Sequence, residues 1–264
     1  MDTQLAQPTR SDHTAVPLAA WDTKRPRLWA VVVGLAGTVL TAFGAGYSQV
    51  RELDLLTATY AQAAFVGASA LVGLAVMWRS RPSLADYGFR RPVHLDRTLW
   101  LLPLAVIPVI LVGFAGLHVS LTQAAAYTVL CVSVGFSEEI WFRGLLLATL
   151  RRLGERHAIV GGSVVFGALH LFNVFTGRPP LYLALQFAFA CLVGLVLAEL
   201  VAITGSLWPG IGWHLVYDLT ALSSSDQLTP AVLTGLALMT AVLAAYAIWL
   251  WRQLPVDRPA RTAG

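Results

Sequence analysis

Charge is scarce in this sequence. Asp, Glu, Lys and Arg make up 12% of its 264 residues, whereas soluble domains carry roughly 25%. That shortfall, beside 57% hydrophobic residues and a mean hydropathy of +0.68, excludes a solvated globular surface and predicts a polytopic membrane protein. Cysteine is scarcer still. Cys131 and Cys191 are the only two, both inside apolar runs, which excludes a disulfide framework and a Cys-based zinc site. A signal-peptide pattern is missing as well: Met1 to Arg27 is polar and lacks the short apolar core and small-residue cleavage site. It reads as a disordered cytoplasmic tail. No internal repeat or low-complexity segment stands out.

Long apolar runs are abundant instead. They fall at about 28–47, 56–78, 98–117, 124–150, 158–175, 181–203, 206–222 and 229–251. A span needs ~20 mostly apolar residues, and in lipid its backbone must satisfy its own hydrogen bonds. The expectation is therefore an all-α membrane bundle of about eight transmembrane helices over 28–252, followed by a second cytoplasmic tail at 253–264. The fifth and seventh runs are short. Of the 18 Lys and Arg, 15 fall on the side that holds both termini, only Arg51 and Arg178 fall on the other, and Arg143 lies within a run. This positive-inside bias predicts a multi-pass protein of the cell membrane with both termini cytoplasmic, and Trp29, Trp78, Trp100, Trp208, Trp249 and Trp251 sit near the inner ends as interfacial aromatics should. A pI near 9.4 suits nucleic acid on its face, but the basic residues form short blocks beside apolar runs, as topology signals do, so no nucleic-acid partner is expected.

Within the fourth run stands Ser137-Glu138-Glu139-Ile140-Trp141-Phe142-Arg143-Gly144, two carboxylates and a guanidinium at membrane depth. Each such group costs at least ~2.5 kcal/mol in hydrocarbon, so each needs a reason to be there. The fifth run adds His170 and Asn173, the sixth Gln186 and Glu199, and the seventh His214 and Asp218. At ~1.5 Å per residue, Glu138, His170 and His214 fall at a similar level when measured from the inner ends of their runs. A common cavity, reached from the cytoplasmic face or laterally from lipid, is the simplest expectation. Glu139 and Arg143 are spaced to pair at i,i+4, while Glu138 points ~100° away round the helix. Phe166 with His170, and His214 with Asp218, share faces at the same spacing, and Gly161, Gly162 and Gly167 allow the fifth helix a close neighbour. One carboxylate with two histidines is a set suited to activating water, directly or through a metal.

At these residues the sequence resembles the CAAX prenyl endopeptidase and bacteriocin-processing family of intramembrane proteases, also called the CPBP or Abi family. Its pattern of Glu-Glu-x-x-x-Arg, then Phe-x-x-x-His, then His-x-x-x-Asn or Asp is matched in order by Glu138, Glu139 and Arg143, by Phe166 and His170, and by His214 and Asp218. Phe142-Arg143-Gly144 and Thr204-Gly205-Ser206-Leu207-Trp208-Pro209 are similar too, and the likeness covers about 124–222. The resemblance implies hydrolysis of a peptide bond in a membrane-anchored peptide or protein, with the lipid bilayer as its setting. Glu138 and His170 would activate water, His214 and Asp218 would stabilise the oxyanion, Glu139 and Arg143 would hold the site together, and Phe166 would pack beside it. An ionised Asp218 would repel an oxyanion, so the acid form or a role in orienting His214 is implied. The family has been described both as glutamate proteases and as metalloproteases. Hence either no cofactor is required, or a divalent metal such as zinc would sit on Glu138, His170 and His214.

Other intramembrane protease patterns are missing: no His-Glu-x-x-His, no Gly-x-Ser-Gly, and no Gly-x-Gly-Asp to partner Tyr217-Asp218. A proton-coupled transporter also places carboxylates and histidines at membrane depth, and a non-catalytic scaffold would keep the same fold. Against the first, the eight runs show no repeated half; against the second, the three motifs are intact. Glu199, Gln186 and Asn173 read as helix-contact or interfacial groups, and Cys131 and Cys191 as small apolar residues.

Overall fold

A computed structural model describes residues 25–80, 83–93 and 100–254. The tails assigned to 1–27 and 253–264 therefore lie almost wholly outside the described residues. Among the described residues every regular element is helical. In chain order these are α1 (Pro26–Val50), α2 (Leu55–Arg79), α3 (Leu102–Ala115), α4 (Leu121–Glu138), a π-helical segment (Glu139–Leu146), α5 (Leu147–Leu150), α6 (Glu155–His170), α7 (Pro180–Thr204), α8 (Trp208–Leu222) and α9 (Pro230–Gln253). Short 3-10 turns follow α5 at Arg151–Leu153 and α6 at Leu171–Thr176. Helical dihedrals run without a break from α4 through α5, so the eight apolar runs become eight rods in the expected order.

The rods differ in length more than the hydropathy suggests. Five are long and apolar enough to cross a bilayer: α1, α2, α6 with its 3-10 extension, α7 and α9. The fourth rod is long but carries Glu138, Glu139 and Arg143. The third and seventh runs shorten to α3 of 14 residues and α8 of 15. The eight rods and their apolar composition make this a multi-pass membrane protein.

Local chemistry sets the boundaries. Asp54 caps α2 by accepting from the Leu56 and Thr57 N–H groups at 3.0 and 3.2 Å, Ser120 and Gln123 close a capping box on α4, and Thr229 caps α9. Prolines in the first turn of α1, α3, α7, α8 and α9 spend no N–H that the helix needs. Gly205 ends α7 at a φ of +66°, and a Cβ there would overlap the Arg90 guanidinium.

Two apolar cores divide the bundle. One gathers Ala30, Val33, Met77, Ile140, Trp141, Phe142, Leu146 and Ile159 from α1, α2, the fourth rod and α6. Its pin is Trp141, whose indole N–H reaches the Ser69 carbonyl and hydroxyl, both at 3.0 Å. The second gathers Leu104, Ile107, Val196, Leu197, Trp213, Leu243 and Tyr246 from α3, α7, α8 and α9. Of the fifth-run glycines, Gly167 makes the close approach: a Cβ there would meet the Phe187 carbonyl at 3.0 Å and the Cys191 N at 3.1 Å. Gly161 and Gly162 have only ordinary contact with Leu150, so the expectation for those two is corrected.

Loop 83–93 is laid against the α7–α8 turn. Leu207 N donates to Gly88 O, Val93 N to Thr204 O, both at 2.9 Å, and Ser206 Oγ to Arg90 O at 2.7 Å. Phe89 and Phe136 both meet the Trp208 ring edge-on at about 6 Å, joining this loop to the turn before Glu138.

Candidate active site

The fourth rod changes its winding at the charged motif. From Glu139 to Leu146 it is π-helical, a rare form that appears mostly where function demands it. Glu139 and Arg143 stay on one face, and Arg143 Nη1 lies 3.2 Å from Glu139 Oε1 with both side chains almost fully buried. The expected pair is present.

His214 of α8 joins the two glutamates. Its Nδ1 lies 3.2 Å from Glu139 Oε1 and its Nε2 3.4 Å from Glu138 Oε2. Glu138 and Glu139 do diverge round the helix, yet one imidazole spans the gap because its two nitrogens face opposite ways. The contacts of Glu139 are at ion-pair distance but off hydrogen-bond alignment, so charge holds this cluster more than directed bonds do. Proton counting limits the site. Carboxylates only accept, so a neutral ring can donate to one of the two glutamates; both contacts are favourable only with an imidazolium or with one carboxylic acid.

Glycine makes this approach possible. A Cβ on Gly135 of α4 would meet the Ile211 carbonyl at 3.1 Å and His214 Cβ at 3.4 Å, and a Cβ on Gly210 of α8 would overlap the Glu139 carboxylate. These two glycines were not among the residues read from the sequence. Their signal is faint there, a Gly three residues before the glutamate pair and another four before the histidine.

His170 ends α6. Its Nδ1 lies 2.9 Å from the Phe166 carbonyl, which can only accept, so Nδ1 carries the proton and Nε2 keeps its lone pair. Phe166 is the hub between the motifs: its ring centroid lies 4.7 Å from that of His170, 6.3 Å from that of His214, 4.9 Å from that of Phe142 and 4.2 Å from the Arg143 guanidinium carbon. Asp218 is on α8 one turn beyond His214, half-buried, with Oδ2 enclosed and without a hydrogen-bond partner. Both nitrogens of His214 face the glutamates, and among the described residues no hydrogen bond or ion pair joins Asp218 to it.

The zinc set does not fit. Among the described residues no three His, Cys, Asp or Glu side chains converge as a metal-binding group.

Every residue from Glu139 to Ala148 is buried, as are Leu207 and Ile211, so the side of the site toward loop 83–93 is packed shut. Glu138 keeps 26% of its side chain exposed, and His170 and Asp218 are half-buried. The more exposed side of the cluster is the one away from loop 83–93.

A carboxylate–histidine cluster held by a buried ion pair in a multi-pass helical bundle defines the class of site. Residues 119–220 are similar to the family model described as type II CAAX prenyl endopeptidase Rce1-like. This stretch holds all seven motif residues. No curated protein and no solved structure matches the chain.

Proposed function

We propose that the protein is an intramembrane endopeptidase that hydrolyses a peptide bond of a membrane-anchored peptide or protein, in the cell membrane with both termini cytoplasmic. Carrying this reading is the bridge Glu138–His214–Glu139, at 3.4 and 3.2 Å, anchored by Arg143 and set one aromatic ring away from a His170 whose Nε2 is free to accept a proton. Glu138 and His170 act as the bases that draw a proton from water as it attacks the scissile carbonyl. His214 supplies positive charge beside the developing oxyanion, and Asp218 assists it in the acid form, as a donor. Glu139 and Arg143 do not touch substrate; they fix the plane of His214. Closure by Leu207, Ile211 and loop 83–93 keeps the inner side dry, which strengthens each of these interactions.

The test compares peptide termini in membranes of cells expressing wild type or Glu138→Gln at matched protein level. Termini present only with wild type establish proteolysis and give the cleavage motif. Loss of a general base lowers rates ~10²- to 10⁴-fold, so Glu138→Gln and His170→Ala are both expected to abolish the signal while the protein stays in the membrane. Full activity in Glu138→Gln would remove Glu138 from the mechanism.

A further inference from the structure

Two membrane-length helices bring their terminal arginines to one tryptophan. α6 begins at Glu155 and α9 ends at Gln253, and both rods are long and apolar enough to cross a bilayer. Arg156, the second residue of α6, and Arg252, the last but one of α9, therefore stand at the depth where lipid headgroups lie. The Arg156 guanidinium carbon lies 5.2 Å from the centroid of the Trp251 ring, so a cation of one helix rests on an aromatic of the other. Trp251 and Leu254 pack with the first core, whereas Leu243, Tyr246 and Leu250 of the same helix belong to the second. The last turn of α9 is thus a joint between the two cores.

The charge at this joint has no counterpart in the chain. Arg151 is engaged, its Nε 3.1 and 3.0 Å from the two Glu155 carboxylate oxygens. Arg152, Arg156 and Arg252 are exposed and have no ion pair among the described residues. Below them the surface is apolar. Val160 and Val164 follow Arg156 at i,i+4 and i,i+8 and are 47% and 50% exposed, and Ile248, 58% exposed, precedes Arg252 by four residues. A topology signal asks only that arginines lie on one side of the membrane, wherever they point. These cap two lipid-facing stripes and flank an aromatic ring.

From this joint we infer a binding site for an anionic phospholipid: Arg156 and Arg252 take its phosphate, with Arg152 beside them, and Val160, Val164 and Ile248 take its acyl chains. A guanidinium pairs with phosphate through a two-pronged fork, and basic pockets between membrane helices are where anionic headgroups collect. A zwitterionic lipid offers the same phosphate but adds a cation of its own, which unpaired arginines repel. The bound lipid ties α6 to α9, and so one core to the other. The site shares no residue with the Glu138, His170 and His214 cluster, and it stands whether or not the protein is a protease.

The test uses full-length protein in an uncharged detergent. Phosphatidylglycerol or phosphatidylcholine with the same acyl chains is titrated in, bound lipid is counted by native mass spectrometry, and melting is followed in parallel. An arginine near an anionic headgroup adds about fivefold to affinity. Wild type should therefore prefer phosphatidylglycerol on the order of tenfold or more, Arg156→Gln and Arg252→Gln should each lose about fivefold of that preference, and the double variant nearly all of it. Arg51→Gln, the same change at the exposed arginine that follows α1, should lose none. Arg252 has no hydrogen bond or ion pair among the described residues, so its variant judges the site even if Arg156→Gln, which also loses the Trp251 contact, fails to fold. Equal affinity for the two lipids in wild type, a preference that survives the double variant, or an equal loss in Arg51→Gln would overturn the site. A melting shift as large with inorganic phosphate alone would mark a bare anion site and overturn the lipid.

Discussion

Glu139 and Glu199 are both fully buried carboxylates in the same bundle, and they have opposite surroundings. Glu139 faces Arg143 and His214, each at 3.2 Å, and its carboxylate lies against the bare Cα of Gly210. Glu199 lies on α7 among Val196, Leu197 and Leu200 of the second core, with neither oxygen hydrogen-bonded and with no ion pair among the described residues. A charge-bearing side chain at membrane depth is thus not in itself the mark of a site. Convergence is: Arg143 and His214 meet the first glutamate, whereas no cation meets the second among the described residues.

The largest expected effect breaks the paired member. Removing one partner of a buried ion pair leaves the other charge uncompensated and costs about 3 to 5 kcal/mol. Glu139→Ala or Arg143→Met should therefore cut the amount of protein in membranes sharply, read by immunoblot against wild type. Normal abundance with both variants would mean that the Arg143–Glu139 pair is not what holds the rod to α8. Next in size is the contact that only the paired member has. Gly210→Ala drives a methyl into the Glu139 carboxylate, and overpacking of this kind costs about 1 to 3 kcal/mol. Shortening the acid relieves it, so Gly210→Ala should destabilise the Glu139→Asp protein by much less than wild type in detergent melts. Additive losses would separate the two residues.

The site was largely legible in the sequence because its chemistry is costly. Charges at Glu138, Glu139 and Arg143 stand out against an apolar background, and helical spacing alone paired Glu139 with Arg143. What spacing cannot carry is contact between helices distant in sequence. That His214 would bridge both glutamates depends on the π-helical winding from Glu139 and on Gly135 and Gly210, none of which has a periodic signature. Helix length was less legible: the third run shortens to α3 of 14 residues, while the fifth, which reads as short, extends through a 3-10 turn to Thr176.

Asp54 gives a smaller effect, outside the membrane, where a carboxylate has partners but no burial. It accepts the Thr57 hydroxyl at 2.6 Å and the N–H groups of Thr57 and Leu56. These bonds, the Thr57 hydroxyl first, hold its carboxyl below the ordinary carboxylate range. A carboxyl lowered by folding adds stability at pH above its unfolded value, about 3.9, and loses it as pH falls through the folded value. Amide exchange at Leu56 and Thr57 should then be protected at neutral pH and speed up only in acid. Asp54→Asn, which keeps an acceptor without the charge, should abolish that acid step.

Glu199→Gln sharpens the comparison with the smallest change of all. It keeps the shape of the side chain, and no cation loses a partner, so abundance and melting temperature should stay within the range of silent substitutions, about 0.5 kcal/mol. The same exchange at Glu139 strips the charge that faces Arg143 and His214 and should be plainly destabilising. Should Glu199→Gln prove as damaging as Glu139→Gln, Glu199 must have a cationic partner in the membrane-embedded protein, and the second core would then have to be searched as a site in its own right.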